Sequence, residues 1–172
     1  AATVEMGRAT FQPSALPCTL TVDELIQQPI EAAGRSLQFT GVSVGNPHCV
    51  IFKQPGEAWT REDLLTLGPA LENHSLFPKR TNVQLAAPTG PKEIFILIWE
   101  RGAGETQASG SSSCAAASAA VRLGLVKGPV TVKMPGGTLN IEVAQDFSLT
   151  MKGPVAEVAR GALSPSFVRG LK

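Results

Sequence analysis

The chain has 172 residues, enough for about one domain whose core needs no metal or disulfide staple. Lys plus Arg number 15 against 14 Asp plus Glu, a net charge of +1 that excludes a polybasic nucleic-acid binder or an acidic tail. Hydrophobic residues at 43% and charged ones at 17% exclude disorder, and no apolar run reaches the roughly 18 residues of a membrane span.

The opening Ala1-Ala2-Thr3-Val4-Glu5-Met6 lacks the basic and apolar regions of a signal peptide. It enters a strand pattern at once, as the middle of a protein does. Strands are expected at Ala2 to Met6 and Cys18 to Val22, separated by a proline-bounded loop. Ser36 to Val44 alternates and breaks at Gly45-Asn46-Pro47, and His48 to Phe52 follows as an almost wholly apolar strand. Thr60 to Asn73 predicts a helix: Thr60 can cap it, Glu62 and Asp63 sit in its first turn, and leucines recur at 64, 65, 67 and 71. His74 then reads as a solvent-facing histidine at the helix end.

Thr81 to Ala86 and Glu93 to Glu100 are the next strands. The run Ile94 to Trp99 is apolar at every position, which predicts burial on both faces. It stops at Glu100-Arg101, which by itself reads as an ordinary salt-bridged strand end. A Gly/Ser loop from Gly102 to Ser113 leads into a helix over Cys114 to Leu123, with any of three serines able to cap it and Gly124 able to end it. From Cys114 to Val121 that helix is small and nonpolar all round, so it should be buried and wrapped by sheet. Short strands are expected at Val130 to Met134, Thr138 to Val143, Ser148 to Lys152 and Val155 to Ala159. The elements read as α+β, short strands wrapped around a central buried helix, in about one domain.

Three cysteines, Cys18, Cys49 and Cys114, form no C-x-x-C, so no metal site or disulfide framework is indicated; each reads as a small buried hydrophobe, and reduced thiols point to the cytoplasm. A buried helix opening from a Gly/Ser loop presents free N–H groups and the positive end of its dipole to an anion. The Walker A ending is absent, which favours a carboxylate over a nucleotide. Few polar residues could serve such a site: Asn46 and His48 in a tight turn, and Asn82 in a strand. His48 alone reads first as a hydrogen-bonded structural residue.

The run Glu100-Arg101-Gly102-Ala103-Gly104-Glu105-Thr106, continuing through Ser113-Cys114, closely resembles the C-terminal signature of diaminopimelate epimerases. Gly45-Asn46-Pro47-His48, Arg80-Thr81-Asn82-Val83, Val4-Glu5-Met6-Gly7 and Met134-Pro135-Gly136-Gly137 fit the same family in the right order. The resemblance implies that residues 1–172 form one lobe of a two-lobed enzyme, a mixed, mostly antiparallel sheet around the central buried helix, with the active site between lobes. It implies chemistry without a cofactor, in which a cysteine from each lobe faces one side of the substrate α-carbon and proton removal and return use groups of matched pKa. Asn46, Asn82 and Arg101 would bind the substrate, and Gly110 and Ser111 would offer N–H groups to its α-carboxylate. Glu100 would contact the amino group beside the second acid/base, and His48 would support the cysteine of the other lobe. The second catalytic cysteine is replaced here by Ser109, a poor base at neutral pH. The expected partners are an amino-acid substrate and an N-terminal lobe or second subunit, without which this lobe is inactive. Two alternatives follow: a carboxylate-binding lobe without catalysis, or one-base exchange, isomerisation or elimination.

Overall fold

The computed structural model describes residues 1–171. In chain order the elements are β1 (Ala2–Arg8), β2 (Gln28–Ala32), β3 (Arg35–Ser43), β4 (Pro47–Phe52), α1 (Arg61–Glu72), β5 (Asn82–Gly90) and β6 (Glu93–Glu100). There follow β7 (Gly104–Thr106), α2 (Gly110–Arg122), β8 (Val130–Met134), β9 (Gly137–Val143), β10 (Ser148–Gly153) and α3 (Pro165–Arg169). The strands pair in the order β1-β10-β9-β8-β6-β5-β4-β3-β2, with β7 added to β6. The β4/β5 and β6/β8 pairs are parallel and the other pairs antiparallel, which is the mixed, mostly antiparallel α+β sheet expected.

The two flanks of this sheet meet. Just past β1, Thr10 and Ser43 of β3 exchange backbone hydrogen bonds of 3.0 and 2.8 Å, and Ala9 donates to the Phe147 carbonyl at 2.9 Å. The curl encloses α2, whose residues Ser112 to Ala120 are all buried. Alanine makes this possible, because its short side chain brings the surrounding strands close to the helix axis on every side. Side chains alternate across each strand, so β6 serves two cores. Ile94, Ile96 and Ile98 pack with the alanines of α2, while Phe95, Leu97 and Trp99 pack with Leu64, Leu67 and Leu71 of α1. That division explains why Ile94 to Trp99 is apolar at every position.

Helix α1 begins where its cap is written. Asp63 donates its N–H to Thr60 Oγ1 at 3.1 Å, and Thr60 donates its own to Asp63 Oδ2 at 3.0 Å. Gly68 faces Trp99, where a Cβ would sit 2.6 Å from the indole, so the ring lies directly on the helix.

Several elements differ from the sequence expectations. Cys18 to Val22 forms no strand; Thr19 donates to the Leu76 carbonyl and the segment runs as loop. The strand of that region is β2, which pairs only with β3 and carries Pro29 and Glu31 on an edge. Val155 to Ala159 is exposed and unpaired, because the sheet flank it would extend is already taken by β1. His74 is half-buried rather than solvent-facing: Nδ1 accepts the Leu76 N–H at 3.1 Å and Nε2 donates to the Glu31 carbonyl at 2.9 Å. Helix α2 starts at Gly110, ahead of Cys114, because Ser109 supplies the cap. Gly124 ends it with φ of +70°, as its position suggested. No helix among the described residues is long and apolar enough to cross a membrane.

Candidate active site

On the face of β4 and β5 turned toward α2, the apolar residues give way to polar ones as the strands approach the N-terminus of that helix. Val50 and Ala86 belong to the alanine core, and the neighbouring positions on the same face are His48, Asn82 and Gln84. Parallel pairing sets His48 beside Asn82 and Val50 beside Gln84. The first turn of α2 meets this cluster.

His48 exposes 0% of its surface, and both ring nitrogens are engaged. Gln84 Nε2 donates to Nδ1 at 3.0 Å, so Nε2 carries the proton and donates to Asn46 Oδ1 at 2.9 Å. Burial, reinforced by the nearby Arg101 charge, lowers the imidazole to about 3. His48 is therefore neutral, with no nitrogen free for a group outside the chain. Asn46, half-buried, directs Nδ2 to the Ser111 hydroxyl at 3.5 Å.

Ser109 stands at the helix N-cap and its hydroxyl accepts the Ser112 N–H at 3.4 Å. The N–H groups of Gly110 and Ser111 find no acceptor among the described residues, as first-turn donors must without a cap or ligand. A Cβ at Gly110 would sit 3.0 Å from Met151 Sδ, so this part of the turn is walled by Met151. The loop leading in is pinned by Gly136, which donates to the Gln107 carbonyl at 2.7 Å.

A second set of bonds shapes the loop that carries Arg101. Asn82 Nδ2 donates to the Pro47 carbonyl at 2.9 Å, and Asn82 Oδ1 accepts the Arg101 N–H at 2.8 Å. The next N–H, of Gly102, goes to Glu72 Oε1 at 2.8 Å. Glu72 also accepts from Trp99 Nε1 and Arg80 Nη1, each at 2.8 Å. Burial raises the Glu72 carboxyl, but Trp99, Gly102 and Arg80 together outweigh it and hold the group below its ordinary value. The guanidinium of Arg101 is exposed and touches the Lys79 carbonyl at 3.1 Å. Glu100 and Arg101 form no ion pair among the described residues, so the ordinary strand-end reading fails. Glu100 is half-buried and follows Ile98 on the face turned toward α2, one step past the last β5/β6 pair, Val83 with Trp99.

The structure thus joins Asn46, His48 and Ser111 in one cluster and Asn82 with Arg101 in an adjoining one. Ser109 and Gly110 complete the helix end, and Glu100 stands at the strand end, its carbonyl accepting the Ala103 N–H at 3.0 Å and its carboxylate without a hydrogen bond among the described residues. Cys49 and Cys114 are fully buried; burial pushes Cys114 up to about 12 and raises Cys49 further, so neither supplies a thiolate. Gln84 and Glu72 escaped the sequence reading. Each carried a signal: Gln84 interrupts an apolar run, and Glu72 is an acid in the last turn of a helix, where the dipole disfavours it.

The family model of diaminopimelate epimerase matches residues 40–158, which include every residue of both clusters. The chain belongs to the diaminopimelate epimerase family. A diaminopimelate epimerase of Desulfitobacterium hafniense is 40% identical over 160 residues, covering 93% of this chain and 56% of that protein. The diaminopimelate epimerase 2 of a Nostoc strain is 42% identical over 161 residues, covering 94% and 55%. The chain therefore spans little more than half the length of these relatives. Among solved structures, a predicted epimerase from Pseudomonas aeruginosa superposes with a TM-score of 0.50 at 22% identity, covering 87% of this chain and 53% of that one, a likeness of fold.

Proposed function

We propose that this chain is the C-terminal lobe of a cofactor-independent amino-acid epimerase, most like diaminopimelate epimerase, which converts LL- to meso-diaminopimelate in lysine biosynthesis. The substrate α-carboxylate rests on the Gly110 and Ser111 N–H groups, with the amides of Asn46 and Asn82 beside it. Arg101 binds a second carboxylate, and Glu100 receives the amino group. His48 acts behind them as a positioning residue. The observation that carries this reading is the open first turn of α2: two donors without acceptors, at the positive end of a buried helix, beside an asparagine held by a locked histidine.

Inversion requires a base on one face of the α-carbon and an acid on the other. This lobe offers only Ser109 at the expected position, and an alcohol holds its proton far more tightly than a thiol. Its hydroxyl oxygen is also engaged by the Ser112 N–H. The isolated lobe is therefore inactive. The engaged hydroxyl favours a one-base variant of the reading, in which a thiolate of the other lobe takes the proton, exchanges it with solvent as the thiol, and returns a solvent-derived proton to the same face, regenerating the thiolate.

The test is to join the chain to the lobe bearing the partner thiol and incubate it with diaminopimelate and other amino acids in D2O. Deuterium incorporation with inversion supports two-base epimerisation, and incorporation without inversion supports the one-base variant. Absence of both, with the carboxylate still bound, leaves a binding lobe and refutes the enzymatic reading.

A further inference from the structure

Gln84 is 0% exposed and sits in a strand whose other residues from Val83 to Ala87 are apolar and buried. Its amide nitrogen makes two hydrogen bonds of 3.0 Å, to His48 Nδ1 and to Ser112 Oγ in the first turn of α2. Its carbonyl oxygen, Oε1, is buried without any partner among the described residues. Leaving an acceptor unmatched in a dry interior is unfavourable, so such an atom calls for an explanation. Here the two ends of one side chain are treated unequally: the donor end is fully used and the acceptor end is left empty. An apolar residue would suit the core better and would avoid the orphaned oxygen. The feature gained by having Gln84 is its donor.

A donor facing Nδ1 has one consequence for an imidazole. It requires a lone pair at Nδ1, which forces the proton onto Nε2. Nε2–H must then meet an acceptor, and the atom 2.9 Å away is Asn46 Oδ1. With Oδ1 occupied, the Asn46 amide can present only its Nδ2 donors to the helix end, and Nδ2 lies 3.5 Å from Ser111 Oγ. The direction of every proton in the chain Gln84, His48, Asn46 is set at its buried end.

We infer that Gln84 is a positioning residue that locks His48 in the Nε2–H tautomer and thereby fixes the Asn46 amide with its N–H donors toward the N-terminus of α2. This rests on the carboxylate reading only for its purpose: a donor-lined site suits an anion, whereas an amide turned the other way would present an oxygen and repel it. The second bond, to Ser112, ties the same amide to the helix turn that forms the site.

The test uses the intact chain, with nitrogen-15 shifts of the His48 ring read near neutral pH, followed by titration with diaminopimelate. The expected wild-type result is a protonated Nε2 and an unprotonated Nδ1. Gln84→Glu replaces the donor with an acceptor, so the proton moves to Nδ1, the Asn46 amide turns over, and diaminopimelate binds at least about tenfold more weakly by amide shifts at Gly110 and Ser111. Gln84→Met, of similar length but without a donor, gives a mixture of tautomers. A wild-type His48 protonated on Nδ1, or a Gln84→Glu protein still protonated only on Nε2, overturns the inference. If neither variant folds, the wild-type ring shifts and the coupling across the Nε2–H···Oδ1 bond still decide it. Wild-type amides that ignore diaminopimelate while the tautomer is as stated refute the carboxylate reading and leave the lock supported.

Discussion

Lowering the pH charges His48 only at the expense of the fold. The ring is buried, both nitrogens are bonded in the neutral form, and its folded pKa is about 3 against an ordinary 6.5. A folded pKa below the unfolded one means that the unfolded chain binds more protons between these values. The contribution is therefore fully present above about 6.5 and is lost as the pH falls toward 3. With these two pKa values, linkage gives a loss of about 2 kcal/mol between pH 7 and pH 5 and about 4 kcal/mol by pH 3. Urea denaturation at pH 7, 6 and 5, in a His74→Gln background so that one imidazole titrates, measures it. Replacing His48 by Gln should lower stability at pH 7, because a flexible amide fills the ring's place poorly, and flatten the slope between pH 7 and 5. Unchanged stability across that window in the parent, or a His48 titration near 6.5 by NMR with the fold intact, would refute the reasoning.

Two further perturbations probe the helix end and the loop facing it. Ser109→Cys should place a thiol on the N-cap of α2, with its pKa about 1–2 units below the ordinary 8.5; the pH dependence of iodoacetamide alkylation in a Cys18→Ser background reads it, and a value at or above 8.5 argues against anion stabilisation there. Glu72→Gln removes the charge that Trp99, Gly102 and the half-exposed Arg80 share, at a cost of about 2 kcal/mol in denaturation after allowance for solvent at Arg80. In the parent protein that stabilisation is present above the ordinary carboxylate pKa and disappears as the pH falls through the lower folded value.

Elements that state their own boundaries were legible in the sequence. Helix α1 carries its capping box in Thr60 and Asp63, and the doubly apolar β6 announces burial between two cores. The buried alanine helix was legible from its composition, but its start was not: glycine and serine form helix poorly, and only the cap geometry of Ser109 brings Gly110 to Ser113 into the first turn. The strand expected at Cys18 to Val22 is a loop, and β2 went unread, because Pro29 and Glu31 are tolerated on an edge that no propensity scale sees. In the site, Asn46, His48 and Asn82 stood out as the few polar residues available to the helix start, and the motif resemblance added Arg101. Gln84 and Glu72 depend on partners brought together by strand pairing and by the fold of the Arg101 loop. Their roles appear only when β4 lies beside β5, and when Trp99 and Gly102 converge on the end of α1.

The central claim is that the first turn of α2 is a half-site for a carboxylate, and amide NMR of the intact chain tests it directly. Titration with diaminopimelate should shift the Gly110 and Ser111 N–H signals downfield with saturation, at a Kd on the order of 1 mM for half a cleft. The corresponding diamine without carboxylates should leave them in place. Equal shifts from the diamine, or diaminopimelate shifts confined to other parts of the lobe, would contradict the account.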